Sequence, residues 1–181
     1  MLDSRSRAIL IIDAQIAVLE SCWQPEVLIA GLNTVIAAGR RGDIPIVFIQ
    51  HTDSSGEPAL DTPGWALHPE LDARPTDRFL TKAATDSFYG TDLAATLTDL
   101  DVDTVVVGGA ASDYCIDATV RAAQSLGFDV DLLSDGHTAQ AGSTGLSAPQ
   151  IISHINEVLA AATHPGGRVR LVSCGSDFRL D

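Results

Sequence analysis

Thr104-Val-Val-Val-Gly-Gly-Ala-Ala-Ser-Asp-Tyr-Cys-Ile-Asp-Ala-Thr-Val-Arg-Ala-Ala123 is the stretch that decides how this chain folds. Its apolar opening reads as a buried strand. Two glycines and two alanines follow, and a helix starts at Ser112. Cys115 falls in the first turn of that helix. Free N–H groups and the positive end of a helix dipole favour a thiolate there. The same N–H groups can receive the negative oxygen of a tetrahedral intermediate.

The pattern repeats on both sides of this unit. Ala8–Ile12 is a second solid apolar run, ended by Asp13. Pro25 and Glu26 open a helix that runs to about Arg40, with Val27, Leu28, Leu32, Val35 and Ile36 on one face and Gly42 past its end. Ile44–Ile49 reads as a strand, Phe79–Leu80 as a short one, and Leu93–Leu100 as a short helix. The helix from Ser112 runs to Leu126. Phe128–Leu133 is the next strand, and 135–147 reads as a polar loop. Ser147 caps a helix through about Ala162, and Val169–Val172 is the last strand. Residues 51–76 form a long loop rich in Pro, Gly, Asp and Ser, of a length that tends to be functional.

Strands that are apolar throughout and alternate with helices predict a mainly parallel sheet covered on both faces. The expected architecture is a three-layer α/β/α fold of the doubly wound, Rossmann type. Length predicts one domain over 1–181. In such sheets ligands bind beyond the C-terminal strand ends. Asp13 and the Gly108–Cys115 turn lie at that edge, and Lys82 is expected to join them.

Bulk composition narrows the function. The 181 residues carry a formal charge of −13, which disfavours nucleic acid as a partner. No apolar run is long enough to span a bilayer, and the N-terminal heptad lacks the apolar core of a signal peptide, so a cytoplasmic protein is expected. The three cysteines, Cys22, Cys115 and Cys174, form no Cys-x-x-Cys pair and are expected to be reduced.

Each candidate has a plain structural alternative. Cys115 is a nucleophile or a small buried apolar residue. Asp13 is a general base or the cap of a neighbouring turn. Lys82 is a surface lysine unless it sits between them, where it would favour the thiolate and keep the carboxylate ionised. Cys22 and Cys174 have no comparable setting and read as structural. Gly108-Gly-Ala-Ala-Ser112 is neither Gly-x-Gly-x-x-Gly nor a P-loop, which weakens a nucleotide-binding module. A non-catalytic redox-sensing thiol protein is the other reading outside enzymology.

Five segments in order carry a family resemblance. They are Ile9-Leu-Ile-Ile-Asp-Ala-Gln15, Lys82 with Phe88-Tyr-Gly-Thr-Asp-Leu93, Val107-Gly-Gly-Ala-Ala-Ser-Asp-Tyr-Cys115, Ala122-Ala-Gln-Ser-Leu-Gly-Phe-Asp-Val130 and Ser134-Asp-Gly-His-Thr138. Together they resemble the isochorismatase-like cysteine hydrolase superfamily over nearly the whole chain. The resemblance implies a catalytic triad of Asp13, Lys82 and Cys115. It implies a cis peptide at Ala110–Ala111 and an oxyanion hole from the N–H groups of Ala111 and Cys115. The implied reaction is hydrolysis of a C–N amide or lactam bond through a thioester, with no cofactor.

By motif position the substrate would meet Val18, Phe88, Tyr89 and Tyr114, with Trp65 of the long loop a further candidate. Packing is the alternative for each aromatic. Nicotinamidases of the superfamily bind a metal through an Asp-x-His pair and further histidines. Here the order is Gln50-His-Thr-Asp53 with His68 later, so a site from His51, Asp53 and His68 departs from that pattern. Members that cleave a vinyl ether lack the cysteine, and Cys115 argues against that chemistry. Trp65-Ala-Leu-His-Pro-Glu-Leu71 and the Phe88 segment look most like the general amidase branch, which includes enzymes opening streptothricin-type lactams. Small carbamoyl and amide metabolites are the other substrate class. His137 is expected to contact substrate, a neighbouring subunit or loop backbone. A homo-oligomer, dimer or tetramer, is what the resemblance implies.

Overall fold

The computed structural model describes residues 6–54, 56, 58–142, 145–175 and 178. The N-terminal segment read for a leader lies largely outside these residues. In chain order the elements are β1 (Arg7–Ile12), α1 (Ile16–Leu19), α2 (Pro25–Arg41), β2 (Ile46–His51), β3 (Arg78–Lys82), α3 (Leu93–Asp99) and β4 (Thr104–Ala110). A π turn (Ser112–Ile116) follows, then α4 (Asp117–Ser125), β5 (Asp129–Thr138), α5 (Ala148–Ala161) and β6 (Val169–Val172).

The six strands form one sheet in the order β3-β2-β1-β4-β5-β6, and every pairing is parallel. The order follows from the sequence's alternation of strand and helix. The chain winds outward from β1 to β3, then returns to place β4 beside β1. That return makes a switch point between β1 and β4, where strand ends diverge and leave a crevice.

Alternate residues of each central strand supply opposite cores. Leu10, Ile12, Val105, Val107, Val130 and Leu132 face a cluster completed by Leu93 and Leu97 of α3, Val120 and Ala123 of α4, and Ile151, Ile155 and Leu159 of α5. Ile9, Ile11, Phe48 and Val106 face the other cluster, covered by Leu28, Ile29, Leu32, Val35 and Ile36 of α2. The result is a three-layer α/β/α sandwich, as the apolar strands predicted.

Four details depart from the sequence expectations. Val27 does not belong to the buried face of α2, being 62% exposed one residue before that face begins at Leu28. The four residues of α1 are too few to show a helical period. The helix from Ser112 begins as a π turn and turns α only at Asp117. The fourth is the length of β5, which does not stop at Leu133 but continues to Thr138.

Its pairing to β4 shifts register, from Val107 opposite Leu132 to Gly109 opposite His137. The polar residues in between find partners at the end of β6 and just past it. Ser134 donates to Val172 O at 3.2 Å, while Asp135 accepts from Ser173 Oγ at 2.6 Å and Cys174 N at 2.7 Å. Polar side chains there serve an extended strand, not a loop.

Gly109 closes the switch point. It has φ +129°, and a Cβ built on it would stand 1.9 Å from Ile12 O. Only glycine lets β4 lie this close to β1 at the residue before Asp13. Among the described residues, no helix is long and apolar enough to cross a membrane.

Candidate active site

Asp13 follows the last residue of β1. Its backbone N–H donates to Ile49 O of β2 at 2.8 Å, and its φ of +50° turns the chain out of the sheet. Asp tolerates that left-handed conformation better than most residues. Lys82 ends β3, and Cys115 sits within the π turn that follows β4. The three segments therefore meet at one edge because all strands run the same way.

Lys82 joins the other two. Its Nζ donates to Asp13 Oδ2 at 2.8 Å, to Cys115 Sγ at 3.2 Å and to Ala84 O at 3.0 Å. The ammonium is thus no surface charge, and Lys82 is 2% exposed. A buried lysine is tolerable only with partners of this kind. Asp13 is 1% exposed and Cys115 8%. The second carboxylate oxygen, Asp13 Oδ1, is buried without a hydrogen bond of good geometry.

Electrostatics here correct one expectation. Burial, then the Asp13 charge, push the Cys115 thiol up to about 12, against the opposing pull of Lys82. That shift opposes the thiolate which a helix N-terminus was expected to favour. Burial also raises the Asp13 carboxyl, opposed by the Lys82 charge and by hydrogen bonds from Cys115 and Lys82. A carboxylate so raised is a better proton acceptor than an exposed one.

A cavity of about 340 Å³ opens onto this group. Asp13, Cys115, Ala111, Val18 and Tyr114 line it. The peptide between Ala110 and Ala111 is cis. His51, Pro58, Thr85 and Gln140 also line the cavity, and none was assigned to substrate from sequence. Pro58 brings in the long loop, which is anchored by an antiparallel bridge from Leu67 to Gln15 and by His68 N–H donating to Ala14 O at 2.8 Å.

Three predicted contacts lie elsewhere. Phe88 is in the core, stacked on Phe128 with centroids 5.9 Å apart, because the turn before α3 drives it inward. Tyr89, 74% exposed, points away from that core and does not line the cavity. Trp65 contributes its carbonyl, which accepts from Gln15 Nε2 at 2.8 Å and Gln50 Nε2 at 3.0 Å. Phe88→Leu is accordingly expected to cost about 1–2 kcal/mol in stability. It should leave the rate of Cys115 alkylation by iodoacetamide unchanged, as thermal melts and peptide mass analysis will show.

His51 lies beside Lys82. Its Nδ1 stands 3.4 Å from Lys82 Nζ, and burial followed by the Lys82 charge pushes its pKa down. His68 Nδ1 faces its own loop, 3.4 Å from the N–H of Glu70. Among the described residues, no three His, Cys, Asp or Glu side chains stand close enough to hold a metal ion. Gln15 is the residue that sequence reasoning passed over. Fully buried, its amide accepts from His51 N–H at 2.8 Å and donates to His51 O at 3.0 Å, fixing the end of β2. A polar side chain two residues past a buried carboxylate was the signal, since a buried amide must find partners.

Cys22 and Cys174 are buried and free, and neither lines this cavity. Cys22 donates to Val18 O at 3.2 Å, and burial followed by the Asp113 charge pushes it up to about 11.

Comparison with known proteins places this geometry. Residues 7–144 match the model of the isochorismatase domain family. A streptothricin hydrolase of Streptomyces noursei is 33% identical over 139 residues, covering 72% of this chain and 54% of that protein. A second streptothricin hydrolase of the same organism is 30% identical over 135 residues, covering 72% and 49%. The chain thus spans about half the length of these curated relatives. The crystal structure of an isochorismatase family protein superposes with a TM-score of 0.82 at 30% identity, covering 91% of this chain and 98% of that one. With a family model over most of its length and this fold, the chain belongs to the isochorismatase family.

Proposed function

We propose that this protein is a cysteine-dependent hydrolase that opens a C–N amide or lactam bond of a small molecule through a thioester on Cys115. One observation carries the reading: the buried Lys82 ammonium bridges Asp13 Oδ2 and Cys115 Sγ, two groups that line the cavity. A structural lysine gains nothing from a thiol partner, whereas a nucleophile needs a base and a fixed counter-charge.

The chemistry follows from the proton positions. Cys115 begins as a thiol, so its proton leaves as the carbon–sulfur bond forms. Asp13 takes it, Oδ1 being the unpartnered oxygen. The carbonyl oxygen becomes an oxyanion, received by the N–H groups of Ala111 and Cys115. Asp13 returns the proton to the departing nitrogen, and the C–N bond breaks. The thioester remains. Water then loses a proton to Asp13 and attacks, releasing the carboxylic acid and the thiol. Lys82 keeps its charge throughout and offsets the carboxylate.

The substrate class rests on the relatives. Streptothricin-type lactams come first, because two matched relatives carry that activity in their names. Small carbamoyl and other amide metabolites are the second class. Val18 and Tyr114 would form the apolar wall against either.

The deciding experiment is a panel assay. Wild type and Cys115→Ala are incubated with a streptothricin, maleamic and carbamoyl amides and nicotinamide, with and without chelator, and read by mass. Gain of one water on a lactam, or loss of ammonia from an amide, should depend on Cys115 and not on chelator. Turnover by Cys115→Ala would sink the mechanism. The acid limb of kcat/KM should lie above the ordinary carboxylate range, because the base works ionised and burial raises Asp13. Activity should fall as pH drops through that raised value. A limb at an ordinary carboxylate pKa would remove Asp13 from the role.

A further inference from the structure

Ser112 opens the turn that carries Cys115, and it is fully buried. Its hydroxyl oxygen lies 2.9 Å from Thr138 O and 2.7 Å from His137 Nδ1. The other ring nitrogen, His137 Nε2, stands 3.0 Å from Asn156 Oδ1 on α5. Asn156 Nδ2 donates to Ser134 O at 2.9 Å, which turns the amide oxygen toward the ring. None of the three side chains lines the cavity, and the mechanism uses none of them.

Hydrogen counting assigns the ring. Asn156 Oδ1 has no hydrogen to give, so Nε2 carries one. Ser112 has one hydroxyl hydrogen and two acceptors before it, His137 Nδ1 and Thr138 O. With a neutral ring, Nδ1 accepts that hydrogen. With a charged ring, Nδ1–H donates to Ser112 Oγ, and the hydroxyl turns wholly to Thr138 O. Burial lowers the pKa of His137, opposed by the Asn156 hydrogen bond and the Asp135 charge. From the turn and from α5 the ring meets neutral Ser112 and Asn156, and its register partner on β4 is the uncharged Gly109. Asp135, on β5 itself, is the charge that acts on it.

We propose that His137, held as the neutral Nε2–H tautomer by Asn156, is a positioning residue that anchors Ser112 and thereby sets where Cys115 stands against Asp13 and Lys82. The proposal rests on Cys115 being the nucleophile. Side-chain hydrogen bonds then hold the turn at Cys115 through Lys82 and at Ser112 through His137, beside the packing of Ile116 in the core. The turn's backbone bonds are local, to Ala111 O from Tyr114 N–H at 3.1 Å and Ile116 N–H at 3.2 Å, and to Ser112 O and Tyr114 O from Asp117 N–H. A small shift of a reacting atom is costly in rate, so the anchor matters without touching substrate.

The test uses readouts that a purely structural histidine would leave alone. In wild type, long-range 1H–15N spectra should show His137 as the Nε2–H tautomer, without titration where free histidine titrates. Cys115 alkylation by iodoacetamide, followed by peptide mass, needs no substrate. His137→Leu should lower it, and kcat on any substrate from the panel, by about tenfold. His137→Asn places an acceptor near the former Nδ1 and should restore both to within about threefold, well below the melting temperature.

Asn156→Asp gives Nε2–H a carboxylate partner, which should bring the His137 titration into view and put a step at the same pH into the alkylation rate. An Nδ1–H tautomer in wild type would overturn the proposal. So would alkylation in His137→Leu within about twofold of wild type, or a titrating ring in Asn156→Asp with no step in rate. If His137→Leu does not fold, the wild-type spectrum and the other two variants still decide. Failure of the hydrolase reading shows separately, as panel turnover that survives Cys115→Ala.

Discussion

Cys115→Ala is expected to lower turnover by on the order of 10⁶-fold, the loss seen when a nucleophile leaves a triad. The protein should fold as wild type does. The substitution removes one sulfur from a wall of the cavity, and the Lys82–Asp13 ion pair at 2.8 Å survives it. Lys82 also keeps its bond to Ala84 O. Asp13→Asn makes the contrast. It removes the base, for a loss of about 10²–10⁴-fold, and it strands the buried Lys82 charge, which costs about 3–5 kcal/mol. The pair of variants therefore separates chemistry from stability: one inactive and stable, the other inactive and unstable. Product mass and thermal melts on both variants check this. An Asp13→Asn protein as stable as wild type would show that the Lys82 charge is satisfied without its carboxylate.

Gly109→Ala should cost more than about 4 kcal/mol, a size reserved for specific steric failures. The added Cβ would overlap the Ile12 carbonyl, and φ +129° is closed to an alanine. Neither strand can retreat, since Ile12 pairs with Gly109 in the register that continues back to Arg7 and Thr104. Relief requires parting β1 from β4 at the switch point, which carries both Asp13 and Cys115. Gly90→Ala is the control. Gly90 also has positive φ, at +67°, but nothing lies within 4 Å of its Cβ position. That substitution should cost only about 1 kcal/mol, the backbone penalty alone. Denaturant melts of the two variants give the comparison. Similar losses at both sites would mean that β1 and β4 separate easily.

The fold was legible because strand and helix signals did not compete. Ala8–Ile12 and Val105–Val107 are apolar throughout, which a doubly covered strand requires and an edge strand does not. The second half of β5 was not legible. Ser134, Asp135 and Gly136 are turn formers locally, and their partners, Val172, Ser173 and Cys174, lie 38 or 39 residues away. In the site, Asp13 and Cys115 could be named from their places beside strand ends, and Lys82 was joined to them by the family resemblance. The aromatics could not be sorted. Phe88 and Tyr89 are adjacent, yet one is in the core and the other in solvent. Periodicity fails in so short a turn. The upward shift of the thiol also escaped, because the helix dipole is visible in sequence while burial and the charge of Asp13 are not.

The bonds that define the site have a temporal meaning. Lys82 reaches back 69 residues to Asp13 and forward 33 to Cys115. Contacts of such span form only after the intervening chain has been ordered. During synthesis, β1 and β3 emerge well before the turn that bears the thiol. Until β4 has slotted in beside β1, Cys115 has neither the Asp13 carboxylate nor the Lys82 ammonium beside it. The nascent chain thus carries an ordinary cysteine, and the proposed nucleophile comes into being only with the finished sheet.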